Sequence, residues 1–188
     1  MIGRRSLLRG GVLAPILFVL VFLINDALKP GYEPVRDYVS EAAIGPGGWV
    51  QIANFAGAGL LITASSFGLS RTVSRWTGRL IRVFGVCLIA AGVFVSDPVP
   101  HDQSTWHGSV HNAVSIVAFG SLTLACCTAS RWRPTSRWRW VCILTGCAIP
   151  VLFVVAGGVS ETAGLWQRLT IAIGWSWLAV LGLRALHR

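Results

Sequence analysis

Residues 42–70, AAIGPGGWVQIANFAGAGLLITASSFGLS, contain no charged side chain, and residues 71–82, RTVSRWTGRLIR, then carry four arginines. About 20 mostly apolar residues suffice for a helix to cross the hydrocarbon core of a bilayer, and this run is long enough. The same alternation recurs along the chain. Further uncharged stretches cover Gly10–Asn25, Val83–Ser96, Gln103–Ser130 (counting histidine as neutral), Trp140–Ser160 and Leu169–Leu183. The shorter ones are lengthened by flanking arginines, whose aliphatic stems lie along the helix while the guanidinium reaches the interface. The expected fold is all-α: one polytopic transmembrane domain over residues 1–188, a six-helix bundle with spans at about 10–28, 48–70, 80–96, 106–130, 140–159 and 166–184.

Composition agrees. Of the 188 residues 54% are hydrophobic and 12% charged, and mean hydropathy is +0.65. A soluble domain carries roughly 25% charged residues. The net charge of +9 would fit a nucleic-acid binder if the basic residues formed one patch. They lie instead in short clusters between apolar runs, which is how membrane topology is encoded. Membrane lipids are therefore the expected partners and nucleic acid is not.

Charge also sets the orientation. Arg4, Arg5 and Arg9 precede span one; Arg71, Arg75, Arg79 and Arg82 lie between spans two and three. Arg131, Arg133, Arg137 and Arg139 lie between four and five, and Arg184 and Arg188 close the chain. Thirteen of the 16 basic residues thus fall on one side, which the positive-inside rule makes cytoplasmic, with both termini there. All seven acids, Asp26, Glu33, Asp37, Glu41, Asp97, Asp102 and Glu161, fall on the other. Trp49, Trp106 and Trp166 begin spans from the outer face, and Trp76, Trp132, Trp138 and Trp140 mark the inner one, at the depths amphipathic rings prefer. Arg4-Arg5 ahead of an apolar run resembles an export signal, but no A-x-A-like cleavage site follows, so the first span is expected to be retained. The expected location is the cell membrane, as a multi-pass protein. The five cysteines all sit in apolar segments without metal-type spacing and are expected to be packing residues, not disulfide partners.

Polar residues on the outer side concentrate in three segments. Residues 31–41, GYEPVRDYVSE, join spans one and two and read as a short amphipathic helix at the interface. Residues 96–111, SDPVPHDQSTWHGSVH, contain three of the four histidines. Residues 160–161, Ser-Glu, lie ahead of Arg168, with which Glu161 is expected to pair. His107 and His111 are four apart where span four begins, with Ser104 or Thr105 as N-cap, so both imidazoles share one helix face. The positive end of a helix disfavours imidazolium, and neutral imidazole is the metal-binding form. Asp97 or His101 is the candidate third ligand. Three protein ligands and a water make a catalytic zinc site in which the water ionises near pH 7. Each feature also has a plainer reading. A His-x-x-x-His pair is common on helices, interfacial histidines bind lipid phosphates, and Ser40 is an ordinary residue to cap a helix. Ionisable groups at membrane depth nonetheless point to function.

The arrangement PGYEPVRDYVSE (30–41), SDP (96–98), HGSVH (107–111) and GLWQR (164–168) resembles the bacterial six-span family filed as domain of unknown function nine-nine-eight, itself similar in layout to the Frag1/DRAM/Sfk1 group. The resemblance spans nearly the whole chain and implies the fold, not a reaction. The family pattern often has Glu before the final Arg, where this chain has Gln167; Glu161 is the available substitute. A set of Ser, Asp and three His is also similar to the membrane hydrolases that include alkaline ceramidases. That group has seven spans and a different placement of its histidine pair, so the likeness is one of chemistry alone.

The leading functional expectation is a metal-dependent hydrolase acting on a lipid or amphiphile at the extracytoplasmic face. His107 and His111 with Asp97 or His101 would hold zinc, Ser40 would position the water, and Asp102 would orient a histidine. The alternative is a non-enzymatic membrane scaffold, sensor or accessory subunit with an outer interaction site. A transporter is the weakest reading, because the spans carry almost no ionisable residue at mid-depth.

Overall fold

The computed structural model describes residues 3–98, 104–133 and 135–188. It contains six long helices: α1 (Arg4–Leu28), α2 (Trp49–Thr72), α3 (Arg75–Val93), α4 (Trp106–Ala129), α5 (Ser136–Gly158) and α6 (Ala163–Leu186). All six are long and apolar enough to cross a membrane, and no strand occurs among the described residues. Each helix packs on its sequence neighbours and α1 closes on α6, so the chain forms an antiparallel ring. Among the described residues the arginine-rich turns share one end with the two ends of the chain, and the acids gather at the other.

Local chemistry fixes the helix starts. Ser74, Thr105 and Thr135 each accept the amide proton of the residue three ahead, capping α3, α4 and α5. The helices extend beyond the uncharged runs: α1 begins at Arg4 and α3 at Arg75, because arginine at a helix end reaches the headgroups without leaving the helix. Pro15 and Pro150 lie inside α1 and α5, as a bilayer permits.

Packing in lipid rests on close contact, since lipid tails are as apolar as the side chains they replace. Gly59 and Gly85 let α2 and α3 approach: a Cβ on Gly59 would sit 2.6 Å from the Gly85 carbonyl oxygen. Leu13, Leu20, Ile24, Ile116, Leu144 and Val154 face outward, while Gln51, Ser65, Ser66 and Thr170 are buried. Cys87, Cys126 and Cys142 pack inside, Cys127 and Cys147 face out, and all five are free thiols.

One expectation needs correction. Residues 31–41 do not form an amphipathic helix lying at the interface. They make a turn that feeds a five-residue 3-10 helix, Val39–Ala43, all of it buried in the outer mouth of the ring. Trp76, Trp132, Trp138 and Trp140 all lie at the inner end, Trp132 and Trp138 buried within the bundle and Trp76 and Trp140 exposed. Trp138 donates from Nε1 to the Ala129 carbonyl at 2.9 Å, so its polar edge is satisfied inside the bundle.

Candidate functional site

The outer loop is drawn inward by Arg168, in the second turn of α6. Its Nη2 donates to Asp26 Oδ2 at 2.6 Å and to the Tyr32 hydroxyl at 2.8 Å. Its Nη1 donates to the carbonyls of Pro34, Asp37 and Gly164. Arg168 therefore pairs with Asp26 at the end of α1, not with Glu161, which is exposed in the α5–α6 turn. The physical reason is closure of the ring: α1 and α6 are neighbours, and a buried guanidinium needs a buried carboxylate. Burial pushes the Tyr32 and Tyr38 hydroxyls above the ordinary phenol range, so both remain proton donors. Tyr32 donates to the Tyr38 carbonyl at 2.7 Å, and Tyr38 donates across the mouth to the Ala156 carbonyl of α5 at 2.8 Å.

These bonds place the 3-10 helix. Lys29 Nζ donates to the carbonyls of Ala42 and Ile44, Glu41 accepts the Tyr38 amide, and Gln167 Oε1 accepts the Val39 amide at 2.7 Å. Ser40, the next residue, is thereby held with its backbone fixed and its side chain buried. Its hydroxyl has no hydrogen-bond partner among the described residues.

The opposite wall comes from α3 and α4. Asp97 accepts the Thr105 amide at 2.9 Å and the Thr105 hydroxyl at 2.6 Å, while Thr105 Oγ1 accepts the Gly108 amide. Asp97 thus organises the start of α4. His107 Nδ1 lies 2.9 Å from the Val95 carbonyl, and His111 Nδ1 lies 2.7 Å from Phe94 O and 3.2 Å from Ala91 O. These are carbonyls that the end of α3 leaves unpaired. A carbonyl only accepts, so in each ring Nδ1 carries a proton, and in the neutral imidazole the lone pair is on Nε2. Anchoring of this kind fixes a histidine that acts as a base or a metal ligand.

Two adjoining voids, of about 240 and 40 Å³, share four lining residues: Ser40, His111, Ser115 and Gln167. The larger continues between α4 and α5 past Ile116, Phe153 and Gly157. The smaller is floored by Phe18, Phe55, Phe84 and Trp175. Polar groups at the mouth and aromatic rings below make an amphiphilic cavity.

The sequence-derived candidates divide accordingly. Ser40 and His111 meet at this cavity. Asp97 stands behind it as a helix organiser, and His107 lies one turn towards the outer surface. His101 and Asp102 fall outside the described residues. Among the described residues, no three His, Cys, Asp or Glu side chains come together in a way that would hold a metal ion. Three contributors were missed: Ser115, Gln167 and Tyr38. Ser115 was within reach of the argument, since 107, 111 and 115 form one stripe at helical spacing. Gln167, in the sequence only the place of an absent acid, holds the Ser40 segment through its carboxamide.

A closed six-helix membrane bundle with a polar, lipid-adjacent cavity at its outer end is the class that fold and site define. Residues 12–184 match the family model described as "Protein of unknown function (DUF998)", and the chain belongs to that family. No curated protein and no solved structure matches the chain.

Proposed function

We propose that this protein is a hydrolase that acts on a lipid or other amphiphile from the outer leaflet of the cell membrane. The observation that carries the reading is that an unpartnered serine hydroxyl and an anchored imidazole line the same amphiphilic cavity. A substrate's apolar part fits the aromatic floor and the α4–α5 groove, and its ester or amide carbonyl then lies among Ser40, His111, Ser115 and Gln167. His111 Nε2 takes the proton of a water positioned by Ser40, and the hydroxide equivalent adds to the carbonyl carbon. The proton passes to the leaving oxygen or nitrogen as the acyl bond breaks. Gln167 is bonded through its oxygen, which frees its amide nitrogen to donate to the developing oxyanion.

The matching Nδ1 anchors of His107 and His111 would also suit zinc, an alternative in which His111 is a ligand and not the base. The two Nε2 atoms would then be ligands; Asp97 is committed to Thr105 and does not join them, so His101 would have to complete the site, with Asp102 orienting a histidine. Zinc would supply the lowered water pKa.

The test is turnover of ester- and amide-linked amphiphiles in mixed micelles by wild type, His111→Ala, Ser40→Ala and, as control, His187→Ala. Removing the base should lower kcat at least ~100-fold. His187→Ala should match wild type. A chelator should abolish turnover, and zinc should restore it, in the metal form. Saturable binding of amphiphiles with no turnover of any would transfer the protein to the non-enzymatic scaffold or sensor reading.

A further inference from the structure

At the inner end, two hollows flank Trp132. One, of about 290 Å³, is lined by Arg133, Arg184 and His187 with Val180 and Leu183; the other, of about 450 Å³, by Arg131, Arg133 and Arg188 with Thr72 and Ser74. We propose that this paired hollow is a binding site for the phosphate group of an inner-leaflet phospholipid.

Four guanidinium groups converge on the turn between α4 and α5 and the end of α6, and none forms an ion pair among the described residues. No acidic side chain among the described residues lies near to neutralise them: Asp26, Glu33, Asp37, Glu41, Asp97 and Glu161 all belong to the outer segments. Two of the four are already positioned. The Arg188 guanidinium lies over the Trp132 ring at 5.0 Å, and that of Arg184 over the Trp138 ring at 4.6 Å. A ring face holds the plane of a guanidinium and leaves its N–H edge free, so little further ordering is needed to bind an oxyanion. Donors await an acceptor: Arg184 Nε and Thr72 Oγ1 are buried without a hydrogen-bond partner.

The surroundings favour a lipid over free phosphate. Val180 and Leu183, 42% and 44% exposed, continue the first hollow up the outside of α6. An acyl chain attached to a bound phosphate would lie along them, at the depth where headgroups meet helix ends. The site is at the opposite end of the bundle from the cavity of Ser40 and His111, so it stands or falls independently of the hydrolase reading.

The experiment is native mass spectrometry of the detergent-purified full chain with phosphatidylglycerol, phosphatidylcholine or inorganic phosphate. One phosphatidylglycerol per chain should be retained in clear preference to phosphatidylcholine. Two arginines near an anionic headgroup account for a loss of about 30-fold in affinity in Arg184→Gln/Arg188→Gln, and one for about fivefold in Arg188→Gln. The single variant changes only an exposed terminal residue, so its effect does not depend on how Arg184 packs. Arg75→Gln/Arg79→Gln removes the same charge from the other inner turn and should bind as wild type does. Displacement of the lipid by inorganic phosphate would support the phosphate contact. Equal losses in both double variants, equal retention of the two lipids, or binding of phosphate alone would overturn the proposal.

Discussion

The two ends of this bundle hold their arginines in opposite ways. At the outer end Arg168 is nearly buried, paired with Asp26 and bonded to three carbonyls and a phenol, so its charge is spent on shaping a loop. At the inner end Arg184 and Arg188 rest on tryptophan faces, with no carboxylate partner among the described residues. Buried ionic networks fix one geometry and are costly to break, whereas guanidinium–ring contacts at the surface are individually weak. The outer end is therefore built to hold side chains in register around a cavity. The inner end is built to keep charge available.

The largest effect should follow from Arg168→Ala. It leaves the Asp26 carboxylate buried without a counter-charge and releases Tyr32, Pro34 and Asp37, at a cost of roughly 3–5 kcal/mol. Thermal unfolding in detergent measures this. Arg36→Ala, which removes a half-exposed guanidinium from Glu33 and from the buried Asp37, should cost less, because Asp37 keeps the Glu33 amide. A similar loss from both variants would mean that the loop tolerates rearrangement, and the contrast between the ends would fail.

Gly164→Ala is expected next, at about 1–3 kcal/mol. A Cβ there would overlap the carbonyl oxygens of Asp37 and Pro34, which cannot move without the loop. Gly108→Ala meets the Asp97 carboxylate, a side chain that can shift by loosening its bonds to Thr105 without moving backbone, so its effect should be the smaller of the two. The reverse order would show that Asp97 and the start of α4, not the Arg168 loop, hold the outer mouth.

How much of this was legible in the sequence follows the range of the interactions. Six spans and their sidedness follow from local composition, because a bilayer judges each segment by its own apolarity. The shared face of His107 and His111 follows from helical spacing. Ser40 at the site came from its polar company in residues 31–41. The partner of Arg168 was misread because nearness in sequence favoured Glu161, while Asp26 becomes its neighbour only when α6 closes on α1. The buried course of residues 31–41 has the same cause: an amphipathic pattern looks alike whether its apolar side meets lipid or the mouth of a ring. Gln167 holding the Val39 amide joins residues far apart in the chain, and no local signal marks such a bond.

At the inner end Trp138→Phe should cost roughly 0.5–1.5 kcal/mol, since the Ala129 carbonyl loses one of its two donors and keeps the Trp132 amide. Cys142, which accepts a hydrogen bond from Trp177, lies beside this layer and should be unaffected. A loss exceeding that of Arg168→Ala would place the main lock of the fold at the aromatic end.

The smallest effect should come from Arg188→Gln. Its guanidinium covers Trp132 but forms no ion pair, and such a contact at an exposed site contributes about 0.5–1 kcal/mol. Because the contact is electrostatic and open to solvent, its contribution should shrink further as salt is raised, while that of Arg168 should persist. Unfolding of both variants at low and high ionic strength tests this directly. A salt-insensitive loss at Arg188 would mean that its charge is shielded from solvent and locked as that of Arg168 is, leaving the two ends alike in how they use arginine.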